Sequence, residues 1–214
     1  MEAENLTLEF TKLWFNDNIR PIWDEFVDQI DVRTILEIGS FEGASICYLI
    51  ERLGFRHALD IHCIDTWAGS EEHQAGASEE SDMAAVEERF HRNVRLAGDR
   101  VPNSISVTIR KAPSFHGLSE LIAEGKAGYF DFIYVDGSHE AADVITDAVL
   151  SFRLLKVGGF MIFDDYMWRE AIGAGVNPIR CPKPAIDAFT LLFWHKIHIL
   201  SGPSAQIFVR KTAA

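Results

Sequence analysis

The chain has 214 residues, 48% hydrophobic and 24% charged, enough for one globular domain with a full core. Its formal net charge of −12, with no run of Lys or Arg, argues against a nucleic-acid-binding surface. The three cysteines, Cys47, Cys63 and Cys181, show no CxxC spacing, which points to a reducing compartment and no structural zinc.

The opening residues Met1-Glu2-Ala3-Glu4 are acidic and lead into no apolar run, so no signal peptide is expected. No stretch reaches the roughly 20 apolar residues of a membrane span, and the expectation is a soluble, cytoplasmic protein. In chain order, Leu6, Phe10, Leu13 and Trp14 recur at helical spacing and predict a first short helix. Pro21 starts a second with Ile22, Phe26 and Ile30. Thr34–Ile38 reads as a strand ending at Gly39, Gly43–Leu53 as a helix closed by Gly54, and Ala58–Ile64 as a second strand ending at Asp65.

Residues 68–82 are polar and acidic and read as a loop. Met83, Val86, Phe90 and Val94 mark an amphipathic helix, Ile105–Ile109 a third strand and Phe115–Ile122 a further helix. Phe130–Val135, almost wholly apolar, is a strand buried on both faces. Ala141, Val144, Ile145, Ala148, Phe152 and Leu155 form the inner stripe of the next helix, which Gly158-Gly159 is expected to break ahead of a strand at Phe160–Phe163. A Pro- and Gly-rich loop over 173–184 precedes a helix from about Pro184 to Trp194. Ile197–Leu200 and Gln206–Val209 then flank the hairpin turn Ser201-Gly202-Pro203-Ser204.

Strands alternating with helices force a parallel, doubly wound α/β sheet, and the closing antiparallel hairpin completes seven strands. The domain expected is single, with an N-terminal helical extension at 1–31 and a core at 32–214. Ligands of such sheets bind beyond the carboxyl ends of the strands, where strand order reverses. Glu37–Gly43, Asp65, Asp136 and Asp164-Asp165 all fall at those ends.

Gly39 and Gly43 let chain and ligand approach closely, but Phe41 and Ala44 break the G-x-G-x-x-G dinucleotide pattern. Glu37, directly before the turn, suits a ligand with a cationic amino group better than a pyrophosphate. Asp65 stands where an acid accepts hydrogen bonds from ribose hydroxyls.

Ile35-Leu36-Glu37-Ile38-Gly39-Ser40-Phe41-Glu42-Gly43, Ile64-Asp65-Thr66-Trp67 and Tyr134-Val135-Asp136-Gly137-Ser138-His139 together resemble the successive motifs of Rossmann-like, class I methyltransferases. Leu154–Gly159 and Phe163-Asp164-Asp165-Tyr166 extend the likeness, with Val157 where the family usually has Pro. The motifs are particularly similar to those of the bacterial branch of small-molecule O-methyltransferases, including metal-dependent enzymes that methylate sugars of macrolide and aminocoumarin antibiotics. The resemblance implies a Rossmann-like fold and S-adenosylmethionine as cofactor. By it, Glu37, Gly39, Ser40 and Gly43 cradle the methionine part, Asp65 holds the ribose, and Thr66 and Trp67 belong to the cofactor site. Ala112 and Ser114, in Lys111–Ser114, line the adenine, and Asp136 adjoins the cofactor.

Asp136, Asp164 and Asp165 are expected to converge at the ends of neighbouring strands, and three carboxylates in a small volume suit a hard divalent cation such as Mg²⁺. His139, near a helix N-terminus that disfavours imidazolium, is the candidate general base, with Asp136 beside it in the catalytic set. The acceptor implied is a small hydroxylated metabolite, a sugar or a phenol, with neither nucleic acid nor membrane as partner and a homo-oligomer left open. Tyr166, Trp168 and Arg169 are candidates to cover it. An NAD-dependent oxidoreductase and a non-catalytic binding module on the same fold are the alternatives.

Overall fold

In a computed structural model the description covers residues 7–70, 80–172, 175–202 and 205–214. Contacts divide the chain into two units, the first Met1–Asp31, Ser40–Asp60 and Trp67–Val107, the second Val32–Gly39, Ile61–Thr66 and Thr108–Ala214.

The strands are β1 (Thr34–Ile38), β2 (Leu59–Asp65), β3 (Ile105–Lys111), β4 (Phe130–Val135), β5 (Leu155–Phe163), β6 (Ala171–Ile172), β7 (Gly175–Val176), β8 (Ile197–Ile199) and β9 (Ile207–Lys211). Seven of them form one sheet in the order β3-β2-β1-β4-β5-β9-β8, and β6 pairs with β7 alone. β1 runs parallel to β4 with Ile38 opposite Val135, and β4 parallel to β5 with Val135 opposite Phe163. β9 is antiparallel to both β5 and β8, so the predicted mixed sheet with its terminal hairpin is what forms. Strand order reverses between β1 and β4, the place where such sheets bind ligands.

The second unit packs α4 (Ser114–Ala123), α5 (Ala141–Leu154) and α6 (Pro182–Phe193) on the strands. Leu36, Ile133, Met161 and Val209 from the sheet join Leu118, Phe152 and Phe189 from the helices in one buried cluster. Each such side chain contributes about 1.5–3 kcal/mol by leaving water. In β4 every residue except Asp131 is buried, which is why its sequence carries no polar alternation.

The first unit holds a π-helical turn (Phe15–Ile19), α1 (Arg20–Val27), α2 (Ala44–Leu53) and α3 (Met83–Asp99). Trp23 of α1 is wholly buried, with the Phe15 ring edge-on at 5.2 Å. Asp82 caps α3 by accepting from the backbone N–H groups of Ala84 and Ala85 at 3.2 and 3.3 Å.

Three expectations are corrected. Residues 8–13 are not helical: Glu9 and Thr11 give their N–H groups to the side chains of Asn93 and Glu42, which outcompete local helical bonds. Gly158-Gly159 does not separate α5 from a strand, because β5 already starts at Leu155. The pair lies inside β5, where Gly158 has φ +91° and a Cβ on Gly159 would meet the Asp131 carbonyl oxygen at 2.9 Å. The last helix begins at Pro182 rather than Pro184. Parts of two predicted loops, residues 71–79 and 173–174, and of the hairpin turn, 203–204, lie outside the described residues. No helix among the described residues is long and apolar enough to cross a membrane.

Candidate functional site

In the second unit, backbone bonds carry the ladder one step past the strand ends. Gly39 N donates to Ile64 O at 2.9 Å, Asp136 N to Ile38 O at 2.9 Å, Asp164 N to Val135 O at 3.0 Å and Ala112 N to Asp65 O at 3.1 Å. Gly39, Asp65, Ala112, Asp136 and Asp164 therefore line up along one rim.

Gly39 has φ +81°, and a Cβ there would stand 2.0 Å from the Asp136 carbonyl oxygen, so the rim closes only around glycine. Glu37, in β1, is fully buried, and Asp65 ends β2 half-buried with Thr66 exposed beside it. Ser114 is the first residue of α4.

The predicted reacting residues meet at this rim. The pocket they line includes Asp136, His139, Asp164 and Asp165, with Val135, Val144 and Phe163 among its apolar walls. His139 Nε2 lies 2.8 Å from Asp165 Oδ2, and the Trp168 ring stacks on the imidazole with centroids 3.9 Å apart. Asp165 takes a left-handed backbone, φ 55°, and its N–H donates to Asp164 Oδ1 at 2.8 Å. Such strain persists only where the surroundings dictate it, which is common at active sites. His139 precedes α5 by two residues, so it is placed by Asp165 and Trp168 and not by the helix itself.

Withdrawal from water, then the charges of Asp164, Asp165 and Glu37, push the Asp136 carboxyl well above the usual carboxylate range. Burial and then Asp165 push Asp164 up to about 6. Tyr134, fully buried in β4, donates its hydroxyl proton to Asp164, and Gln206 Nε2 donates to the Tyr134 oxygen at 3.3 Å. Neither Tyr134 nor Gln206 stood out as a site residue in the sequence. The available signal was a phenol and an amide, each inside an otherwise apolar strand or at its edge.

The three aspartates expected to bind Mg²⁺ share one pocket, but two already have protein partners: Asp164 with Tyr134 and Asp165 with His139. Among the described residues no group of three or more His, Cys, Asp or Glu side chains is arranged to hold a metal ion. In this arrangement a cation held by all three carboxylates would have to displace the bonds from Tyr134 and His139.

The rest of the glycine turn belongs to the first unit. Ser40 and Glu42 are buried, Gly43 N donates to Ser40 O at 2.7 Å, and Gly43 caps α2 with φ +79°. Trp67, at φ 45°, donates its indole N–H to Phe41 O at 3.0 Å and packs on Phe90 with ring centroids 4.9 Å apart.

Residues 36–166 match a family described as a methyltransferase domain. An uncharacterised protein of Acanthamoeba polyphaga mimivirus is 26% identical over 154 residues, 70% of this chain and 60% of that protein. Caffeoyl-CoA O-methyltransferase 1 of Eucalyptus globulus is 32% identical over 75 residues, 35% of this chain and 30% of that enzyme. The chain thus spans less than two thirds of the length of these curated relatives. Among solved structures, an O-methyltransferase of Bacillus cereus in complex with S-adenosylhomocysteine has the same fold, with a TM-score of 0.55 and 17% identity over 91% of this chain and 82% of that one. The O-methyltransferase NovP gives a TM-score of 0.57 and 18% identity over 92% and 78%. The motif order read in the sequence, the rim geometry and the family match agree: the chain belongs to the methyltransferase domain family.

Proposed function

We propose that the protein is an S-adenosylmethionine-dependent O-methyltransferase acting on a small hydroxylated metabolite, a sugar or a phenol. One observation carries the choice of cofactor. Glu37, wholly buried in β1 two residues before Gly39, and Asp136, Asp164 and Asp165, which line one pocket, put four carboxyl groups at this rim. A rim of this sign repels the pyrophosphate of NAD and welcomes a ligand carrying ammonium and sulfonium charges. S-adenosylmethionine, when bound, supplies an electrophilic methyl group.

The remaining chemistry falls to this chain's own residues. Glu37 holds the ammonium group, Asp65 the ribose hydroxyls, and Gly39 leaves the room that a side chain would fill. Asp136 borders the cofactor, Ala112 and Ser114 border its adenine, and Ser40, Gly43, Thr66 and Trp67 keep the cofactor roles that the motifs imply. The His139–Asp165 pair takes the proton of the acceptor hydroxyl, starting with one negative charge and ending with none. Trp168 fixes the imidazole plane, and alignment of oxygen, methyl and sulfur in one line is the protein's main contribution. The family match runs through segments of both units, which supports reading them as parts of one methyltransferase domain. Similarity to a caffeoyl-CoA O-methyltransferase supports oxygen as the methylated atom. The free cysteines suit a reducing compartment, the cytoplasm.

Transfer of a labelled methyl group from S-adenosylmethionine to a panel of sugars and phenols tests the reading. His139→Ala and Asp165→Ala should each lower kcat by about 10²–10⁴-fold, the usual weight of general-base catalysis. Near-normal rates in both would remove the proposed base. A divalent cation is the second reading, favoured by the convergence of Asp136, Asp164 and Asp165 on one pocket, where burial and then mutual repulsion raise Asp136 and Asp164 and a cation would relieve the repulsion. Loss of transfer on adding a chelator, restored by Mg²⁺, would establish it.

A further inference from the structure

Glu42 has no part in the reading above, and the glycine turn does not need it: Gly39 and Gly43 supply the backbone freedom. It is nonetheless a carboxylate only 2% exposed. Burying such a charge is unfavourable unless it is fully paired. The pairing comes from two other elements of the first unit. Glu42 Oε2 accepts from Thr11 N at 2.6 Å, and Oε1 accepts from Thr11 Oγ1 at 2.7 Å and from Arg89 Nε of α3 at 2.5 Å.

The backbone of the turn is gripped by the same elements. Asn93 of α3, wholly buried, donates from Nδ2 to Glu42 O at 3.1 Å and to Glu9 O at 2.8 Å, and its Oδ1 accepts from Glu9 N at 2.9 Å. The Trp14 ring lies 5.2 Å from that of Phe41, whose φ of 46° is a left-handed conformation that a bulky residue adopts only when held there. Residues 9–14 are thus a strap that closes over the turn, with Glu42 as its buckle.

We infer that Glu42 is a positioning residue for the cofactor turn, and that the N-terminal segment Glu9–Trp14 sets cofactor affinity through it. This rests on the proposed cofactor role of Ser40 and Gly43. If the turn holds the ligand, ligand and strap stabilise the same backbone conformation, and each must strengthen the other. A carboxylate that merely supported the fold would change stability and leave the coupling absent.

The test is hydrogen exchange and calorimetry with S-adenosylhomocysteine as the probe, on the whole chain. In the wild type, saturation with the probe should slow exchange of the Glu9 and Thr11 amides, which donate to Asn93 and Glu42. Glu42→Gln, which keeps the shape but loses the charge facing Arg89, should raise Kd for the probe about tenfold, the size of coupling expected within one shared network. Thr11→Val, which removes only the hydroxyl, should raise it by a smaller factor and keep the fold. Unchanged exchange at Glu9 and Thr11 in the wild type overturns the inference, as does wild-type affinity in both variants. Failure of the wild type to bind the probe overturns the cofactor reading and this inference together.

Discussion

Gly39→Ala is the sharpest perturbation of the rim. The added Cβ would stand 2.0 Å from the Asp136 carbonyl oxygen, 2.6 Å from its carbon and 2.7 Å from Gly137 Cα, all backbone atoms that no rotamer change can clear. Gly125 is the internal reference: its φ of +80° matches the +81° of Gly39, yet a Cβ there meets nothing within 4 Å. Both substitutions carry the left-handed strain of a side chain, about 1–2 kcal/mol. Gly39→Ala adds an overpacking cost of about 1–3 kcal/mol, because the end of β4 must move.

The expected losses are therefore about 1–2 kcal/mol for Gly125→Ala and about 2–5 kcal/mol for Gly39→Ala, out of a total stability of about 5–15 kcal/mol. Urea unfolding of the two variants and the wild type, fitted with a common slope, reads the difference directly. The displaced Asp136 should also cost Gly39→Ala its affinity for S-adenosylhomocysteine, while Gly125→Ala binds normally. Equal stability losses within about 0.5 kcal/mol, with equal affinities, would refute the close-approach argument.

Other consequences are open to measurement. Asp147, 1% exposed in α5, has its carboxyl pushed up to about 7 by burial. Its folded state thus holds the proton more tightly than the unfolded chain does, so its stabilising contribution is complete below about pH 4 and is lost as pH rises to 7. The loss approaches about 4 kcal/mol at about 1.4 kcal/mol per pH unit, so Asp147→Asn should flatten the fall in urea midpoint between pH 5 and pH 8. Lys211 Nζ, buried, donates to the carbonyls of Phe152 and Leu155 at 2.8 Å each where α5 meets β5. Lys211→Met should cost about 1–3 kcal/mol in the same assay by leaving both carbonyls unpaired. Trp168→Ala, by freeing the imidazole plane, should lower kcat with little effect on the Kd for S-adenosylhomocysteine.

Most of this architecture could be read from the sequence because it depends on local patterns. β1 and β4 were legible to the residue, since a strand buried on both faces is a nearly continuous apolar run, interrupted here only by Glu37 and Asp131. Where the reading failed, distant partners decided. The helical spacing of Leu6, Phe10, Leu13 and Trp14 carried no trace of Asn93 and Glu42, which claim the Glu9 and Thr11 amides. A double glycine usually ends an element, yet Gly159 lies within β5 because only glycine fits against the Asp131 carbonyl.

The site divides in the same way. Asp136, Asp164 and Asp165 were predicted to converge because they end adjacent strands, and they do line one pocket. The partners around Asp164 were invisible: Tyr134, which donates to Asp164, and Gln206, which donates to Tyr134, are far apart in sequence and meet only through the pairing of β4, β5 and β9.

On the proposed function, an acidic rim selects a cationic nucleoside cofactor. Calorimetric titration of the wild-type protein with S-adenosylmethionine, S-adenosylhomocysteine and NAD in turn tests it most directly. The protein should bind the first two saturably and one-to-one, more weakly after Asp65→Ala or Glu37→Ala, and should not bind NAD. Binding of NAD with no response to either S-adenosyl compound would contradict it.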